Sequence, residues 1–101
     1  METIIGIQHS EVYLQTKNGP AFKINKSKTT IGRSGDIYFS KDPYMSKIHS
    51  TIKSYDGEYF IMDNKSSNGT RVNGKKINNS VKLSNGDQIT CGQTEFKFKN
   101  D

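Results

Sequence analysis

Hydroxyls, carboxamides and cations gather in two short stretches of the chain, and these are the groups that hold an oxyanion. The first spans residues 41–47, contains Asp42-Pro43, and ends on Ser46-Lys47 just ahead of Ile48-His49. The second reads Asn64-Lys65-Ser66-Ser67-Asn68-Gly69-Thr70 and is followed by Val72-Asn73-Gly74. A third element, Ile31-Gly32-Arg33, adds a guanidinium at a strand end. An oxyanion presents only acceptors, so its site must be built of donors: Arg, Lys, hydroxyls and main-chain N–H groups. Each charge-assisted bond is worth about 1.5–3 kcal/mol, so two or three such donors decide whether an anion is held. Other chemistries are poorly supplied. The two histidines and one cysteine stand far apart, without metal-ligand spacing. No Gly-rich loop of the nucleotide-binding types occurs. Ser46 and His49 are the one pair with the types of a nucleophile and a base; at i and i+3 on a strand they are expected to face opposite sides. No catalytic site, cofactor or metal follows from this reading.

Such groups need a frame, and period-two alternation supplies one. Val12 and Leu14 alternate with Glu11, Tyr13 and Gln15; Phe22 and Ile24 flank Lys23; Ile37 and Phe39 flank Tyr38. Ile48 and Ile52 are expected on one face of a strand, with His49, Thr51 and Lys53 on the other. Tyr59 and Ile61 oppose Phe60 and Met62, Ile89 and Cys91 alternate with Gln88 and Thr90, and Phe96 and Phe98 with Glu95, Lys97 and Lys99. Asn-Gly at 18–19, 68–69, 73–74 and 85–86, and Asp-Gly at 56–57, separate these runs. Both dipeptides tolerate the positive φ angles of tight hairpins. The clearest hairpin joins residues 48–55 to 58–63. Short strands at close intervals with no helical period indicate an all-β sandwich or barrel.

The chain has 101 residues, room for one domain over 1–101 and little more. A hydrophobic fraction of 31% is low, but a sheet needs apolar residues on one side of each strand only. The net charge of +5 favours an anionic partner. Nucleic acid, acidic lipid and phosphorylated protein all satisfy that condition; against nucleic acid, most Phe residues fall on core faces and no basic helix or RNP-like run is present. No stretch approaches a membrane span, and residues 1–10 lack the apolar centre of a signal peptide, so no membrane partner and a cytoplasmic setting are expected. Cys91 is the sole cysteine, which excludes an intramolecular disulfide. Ile4, Ile5 and Ile7 suggest an additional strand.

Taken together, Gly32-Arg33, then Ser46-x-x-His49, then Ser-x-Asn-Gly-Thr ending at Thr70, then Val72-Asn73-Gly74, resemble the forkhead-associated (FHA) family in order and approximate spacing. Leu83, Asn85-Gly86-Asp87-Gln88-Ile89, Gly92 and Phe96 continue the likeness, which covers about residues 22–98. The resemblance implies a twisted β-sandwich of two antiparallel sheets without substantial helix. It also implies a non-enzymatic module, expected to be monomeric, that holds a phosphothreonine-containing partner by loops at one end. Carried over by position, Arg33 and the Ser46 hydroxyl would contact phosphate, Lys47 would add a second cation, and Ser67 would lie near the phosphate. Asn68 would hold the peptide main chain and could also supply a turn's positive φ. Gly32, His49, Gly69, Thr70 and Asn73 would support the binding loops. The family commonly has Arg at the position of Lys47, and lysine lacks the bidentate fork. Tyr44 and Met45 would shape the pocket for residues after the phosphothreonine. A degenerate FHA module that binds a partner without phosphate is the alternative, and the retention of Arg33, Ser46 and Asn68 argues against it.

Overall fold

The alternating runs become strands. The computed structural model describes residues 11–100, so the strand expected around Ile4, Ile5 and Ile7 lies outside the described residues. The strands are β1 (Val12–Thr16), β2 (Ala21–Lys23), β3 (Lys28–Gly32), β4 (Ile37–Tyr38), β5 (Ser50–Tyr55), β6 (Glu58–Asp63), β7 (Thr70–Val72), β8 (Lys75–Lys76), β9 (Val81–Lys82), β10 (Gln88–Cys91) and β11 (Thr94–Asn100). They assemble into a six-stranded sheet in the order β2-β1-β11-β10-β7-β8 and a five-stranded sheet in the order β4-β3-β5-β6-β9. No helix occurs among the described residues.

Leu14, Phe96, Phe98, Ile89 and Cys91 point inward from the first sheet and meet Ile31, Ile52 and Ile61 from the second. Burying each large apolar side chain is worth about 1.5–3 kcal/mol, so this interior supplies the main drive to fold. Phe22 and Phe39 extend it at the margin, their rings edge to face at 5.6 Å. Two hairpins follow the turn chemistry of the sequence. Asp56 (φ 52°) with Gly57 joins β5 to β6, and Asn73 (φ 53°) with Gly74 joins β7 to β8, each through a two-residue loop with both residues left-handed.

Three expectations are corrected. The sheets are not wholly antiparallel, because β3 and β4 pair in parallel, Ile31 beside Ile37 and Gly32 beside Tyr38. The cause is local. The Asp36 carboxylate accepts the Thr30 N–H (2.9 Å) and Thr30 hydroxyl (3.1 Å), drawing the chain back beside β3 before it sets off again in the same direction. An ion pair with Lys26, then the Thr30 bonds, hold this exposed carboxyl down at about 2. The first strand of the β5–β6 hairpin begins at Ser50, not at residue 48, and Ile48 is exposed while His49 is fully buried. Residues 46–49 form a strap clamped to the end of β3 instead of a strand. Met45, finally, expected to shape a pocket, is a core residue at 2% exposure.

Candidate functional site

The register brings several strand ends to one pole of the sandwich: Ile31 beside Ser50, Ser50 beside Asp63, and Thr70 beside Cys91. The segments that leave these ends are residues 33–49 and 64–69, the stretches that carry the donors.

The strap is fixed by backbone bonds on its β3 side. The N–H groups of Arg33 and Ser34 donate to the carbonyls of Ser46 and Lys47, each at 3.0 Å, and the His49 N–H donates to the Ile31 carbonyl at 2.7 Å. Such proximity leaves no space for a side chain at Gly32, where a Cβ would stand 1.9 Å from the Lys47 carbonyl oxygen. Glycine is required there by steric exclusion.

His49 then ties the strap to the second loop. Its Nδ1 accepts the Ser46 N–H at 3.0 Å, which leaves the hydrogen on Nε2, and Nε2 donates to the Gly69 carbonyl at 2.7 Å. Ser46 and His49 therefore do meet, contrary to the expectation of opposite strand faces, because the segment turns. Both ring nitrogens are occupied by backbone groups, so the imidazole is a strut and not a base for the Ser46 hydroxyl.

Two carboxylates complete the frame. Asp63 accepts the Ser66 N–H and hydroxyl and the Thr70 hydroxyl, while the Ser66 oxygen accepts the Gly69 N–H. The loop thus closes on itself, with Lys65 in the left-handed region at φ 54° to turn the Ser66 N–H toward Asp63. Asp42, buried at 7% exposure, accepts the Tyr44 N–H, the Gln93 N–H and the Thr94 hydroxyl, fastening the 42–45 segment to the turn between β10 and β11. Burial pushes both carboxyls up, but the donated hydrogen bonds outweigh it and hold each below the usual carboxylate value. Thr70 and Ser50 share a buried hydroxyl contact at 2.7 Å, and Cys91 Sγ lies 3.2 Å from Ser50 Oγ. Burial pushes the Cys91 thiol up to about 12, which makes it inert.

On this frame several donors stay open. Arg33 donates through Nε to the Met45 carbonyl at 2.8 Å, so the guanidinium is oriented while its two terminal amino groups have no further partner among the described residues. Ser46 Oγ accepts the Ser67 N–H at 3.0 Å and keeps its own hydrogen to donate. Asn68 Nδ2 donates to the Tyr44 carbonyl at 2.8 Å, which bridges the two loops and leaves its Oδ1 available. The side chains of Ser67, Lys47 and Lys65 are exposed at the same rim. Arg33, Ser46 and the adjacent pair Ser67-Asn68, from three separate stretches of sequence, are thus linked by single hydrogen bonds through the 44–46 segment.

Other positions depart from expectation. The positive φ of the Asn68-Gly69 turn belongs to Gly69 (84°), not to Asn68. Asn73 does pin loop to loop, donating to Asp87 and accepting the Gln88 N–H, but it does so at the end of β7 remote from Gly69 and outside the rim. Asp42, Asp63 and Ser66 were missed by sequence reasoning. Asp63 and Ser66 stand three apart, a spacing suited to a local side-chain turn, whereas nothing local links Asp42 to Gln93.

The family model described as FHA domain matches residues 29–92, more than half of the chain and inclusive of both loops. The chain belongs to the FHA domain family. This FHA domain is 34% identical over 100 residues to the oxoglutarate dehydrogenase inhibitor of Corynebacterium jeikeium, covering 94% of this chain and 69% of that protein. The structure of Mycobacterium tuberculosis EmbR in complex with a low-affinity phosphopeptide superposes with a TM-score of 0.85 at 32% identity, over 91% of this chain but only 25% of that one. A solved structure from work on phosphothreonine-dependent FHA domain interactions matches with a TM-score of 0.81 and 26% identity, over 88% of this chain and 95% of that one. EmbR is thus much longer than the FHA domain it shares with this chain.

Proposed function

We propose that this FHA domain, as one module, binds phosphothreonine-containing segments of partner proteins at the loop end. The observation that carries the reading is the state of Arg33 and Ser46. Each is already engaged on its inner side by the scaffold, Nε on the Met45 carbonyl and Oγ under the Ser67 N–H, and each keeps donor hydrogens for a ligand. Donors fixed before the ligand arrives lose little side-chain entropy on binding. A phosphate dianion offers them several charged acceptor oxygens; a neutral hydroxyl offers one, without charge. Ser67 and Lys47 add a hydroxyl and a cation at the margin, and the free Oδ1 of Asn68 accepts a peptide N–H. The phosphopeptide held by EmbR supports this choice of ligand. A threonine methyl is worth about 0.8 kcal/mol by transfer alone, so preference over phosphoserine rests on close packing as well.

The reading is of a binding module and not an enzyme, since the imidazole of His49 is spent on two backbone groups. Cytosolic residence, with partners phosphorylated by a Ser/Thr kinase, is the setting it assumes.

Calorimetric titration with a degenerate phosphothreonine peptide library and its unphosphorylated twin tests the proposal. The phosphorylated pool is expected to bind at least about 100-fold tighter, the sum of two charge-assisted bonds. Equal affinities would assign the domain to phosphate-independent recognition.

A further inference from the structure

One face of the six-stranded sheet carries a marked excess of cations over carboxylates among the described residues. Residues of the six-stranded sheet that point away from the core fall into rows set by the register. Lys23, Tyr13 and Lys99 form one row; Gln15, Lys97 and Gln88 the next; Glu95, Thr90, Arg71 and Lys76 the third. With Lys17 and Glu11 at the margins, this face holds six cations and two carboxylates among the described residues. Both carboxylates are already engaged, Glu11 with Lys23 at 3.6 Å and Glu95 with Lys17 at 3.8 Å. Arg71, Lys76, Lys97 and Lys99 have no carboxylate partner among the described residues.

This face runs into the phosphopeptide rim. Lys76 lies across Gly69: a Cβ at position 69 would stand 2.4 Å from Lys76 Cε and 3.2 and 3.3 Å from its Cδ and Cγ. The ammonium is one bond beyond Cε, so it stands beside the loop that carries Ser67 and Asn68. From there the cations continue through Arg71 to Lys97 and Lys99.

We propose that the outer face of the six-stranded sheet docks an acidic segment of the same polypeptide that presents the phosphothreonine. The inference rests on the phosphothreonine reading of the loop end and extends it. Charge decides the class of partner, and continuity through Lys76 decides that it is the same chain. Lys97 and Lys99 are alternate residues of one strand, about 7 Å apart, a spacing that alternate carboxylates of an extended segment reproduce. Single-stranded nucleic acid fits less well, because it is held by stacking on several rings and this face offers only the half-buried Tyr13. Exposed ion pairs are individually weak. Tethering to an engaged phosphothreonine raises the local concentration of the acidic segment to the millimolar range, where weak contacts suffice.

Fluorescence anisotropy at low salt tests the inference with a phosphothreonine peptide selected from the library. Two extended versions carry, at either end, a Gly/Ser spacer followed by six glutamates or by six serines. The glutamate tail is expected to tighten binding about tenfold over the serine tail, with the gain shrinking as salt is raised. In Lys97→Glu/Lys99→Glu that gain disappears while the short peptide binds as before, since both side chains point away from core and rim. Equal affinities for the two tails at both ends, or a gain that survives in the double variant, overturns the proposal. So does a single-stranded oligonucleotide that binds more tightly than the glutamate tail and is lost in the same variant. If the short phosphopeptide does not bind at all, it is the loop-end reading that fails. An unphosphorylated glutamate-tailed peptide held by the wild type and not by the variant then retains the face, and one held by neither removes it.

Discussion

Leu14, Ile52, Ile61, Ile89 and Phe98 in the middle of the sandwich and His49, Ser50 and Thr70 at the loop end are equally withdrawn from solvent, all at 0% exposure. They are held by different forces. The apolar group packs without directional contacts, and its contribution scales with the area removed from water. The polar group is buried only because each member has a partner: His49 bridges Ser46 and Gly69, and Ser50 meets Thr70, which in turn donates to Asp63. Hydrogen bonds add modest net stability but fix positions to a fraction of an ångström, and leaving one unmade is costly. The interior therefore decides whether the domain folds. The loop end decides where Arg33 and Ser46 point once it has.

Mutations should separate the two regions. The largest effect is expected in the interior, where Phe98→Ala should cost about 3–5 kcal/mol in urea unfolding. The fraction that remains folded should still bind phosphopeptide with wild-type affinity, because no rim group touches Phe98. Arg33→Ala should behave in the opposite way: a loss of about 100-fold or more in phosphopeptide affinity by calorimetry, with unfolding free energy changed by no more than about 0.5 kcal/mol. If Arg33→Ala unfolded the domain, or bound normally, its assignment to the phosphate would fall. His49→Ala should blur the division, costing about 2 kcal/mol of stability and about tenfold in affinity, since the Ser46 N–H and the Gly69 carbonyl both lose their partner. A change in only one of the two quantities would show that the strut does not couple frame and rim.

The smallest expected effect is on acidification. Asp42 and Asp63 are held below the ordinary carboxylate value of 3.8 by their donors, against the upward push of burial. Groups depressed in this way stabilise the fold fully above the unfolded value and lose that contribution as pH falls through the folded one. Unfolding free energy should thus be insensitive to these two residues from about pH 7 to about pH 5 and should decline below about pH 4. Asp42→Asn should be less stable at neutral pH and show a shallower decline. A variant with the wild-type slope would remove Asp42 from the acid transition.

Much of the architecture was legible because alternation and turn chemistry are local. Phe96 and Phe98, Ile89 and Cys91, and Val12 and Leu14 all face inward as the period-two pattern requires. Asp56-Gly57 and Asn73-Gly74 form the two-residue hairpin turns their φ preferences allow. Pattern reading failed where a distant contact overrode the local signal. Met45 was expected at a pocket and is core, because the strap that follows it is drawn onto β3 by three backbone bonds. Ile48 was expected to share a strand face with Ile52 and is exposed while Ile52 is buried, for the same reason.

The sequence by itself determined the strands, the tight turns and the inventory of donors, together with the family order of Gly32-Arg33, Ser46, His49 and Asn68. These depend on residue type and on neighbours a few positions away. Tertiary structure alone decided that Ser46 and His49 meet, that Asp42 fastens to Gln93 and Thr94 across 51 and 52 positions of the chain, and that Lys76 lies over Gly69. It also gathered six cations and only two carboxylates, counted among the described residues, on a single face of one sheet. The physical reason is that strand pairing sets which remote residues become neighbours, and that pairing is selected by the burial of the whole interior and not by any residue that the pairing brings to the site.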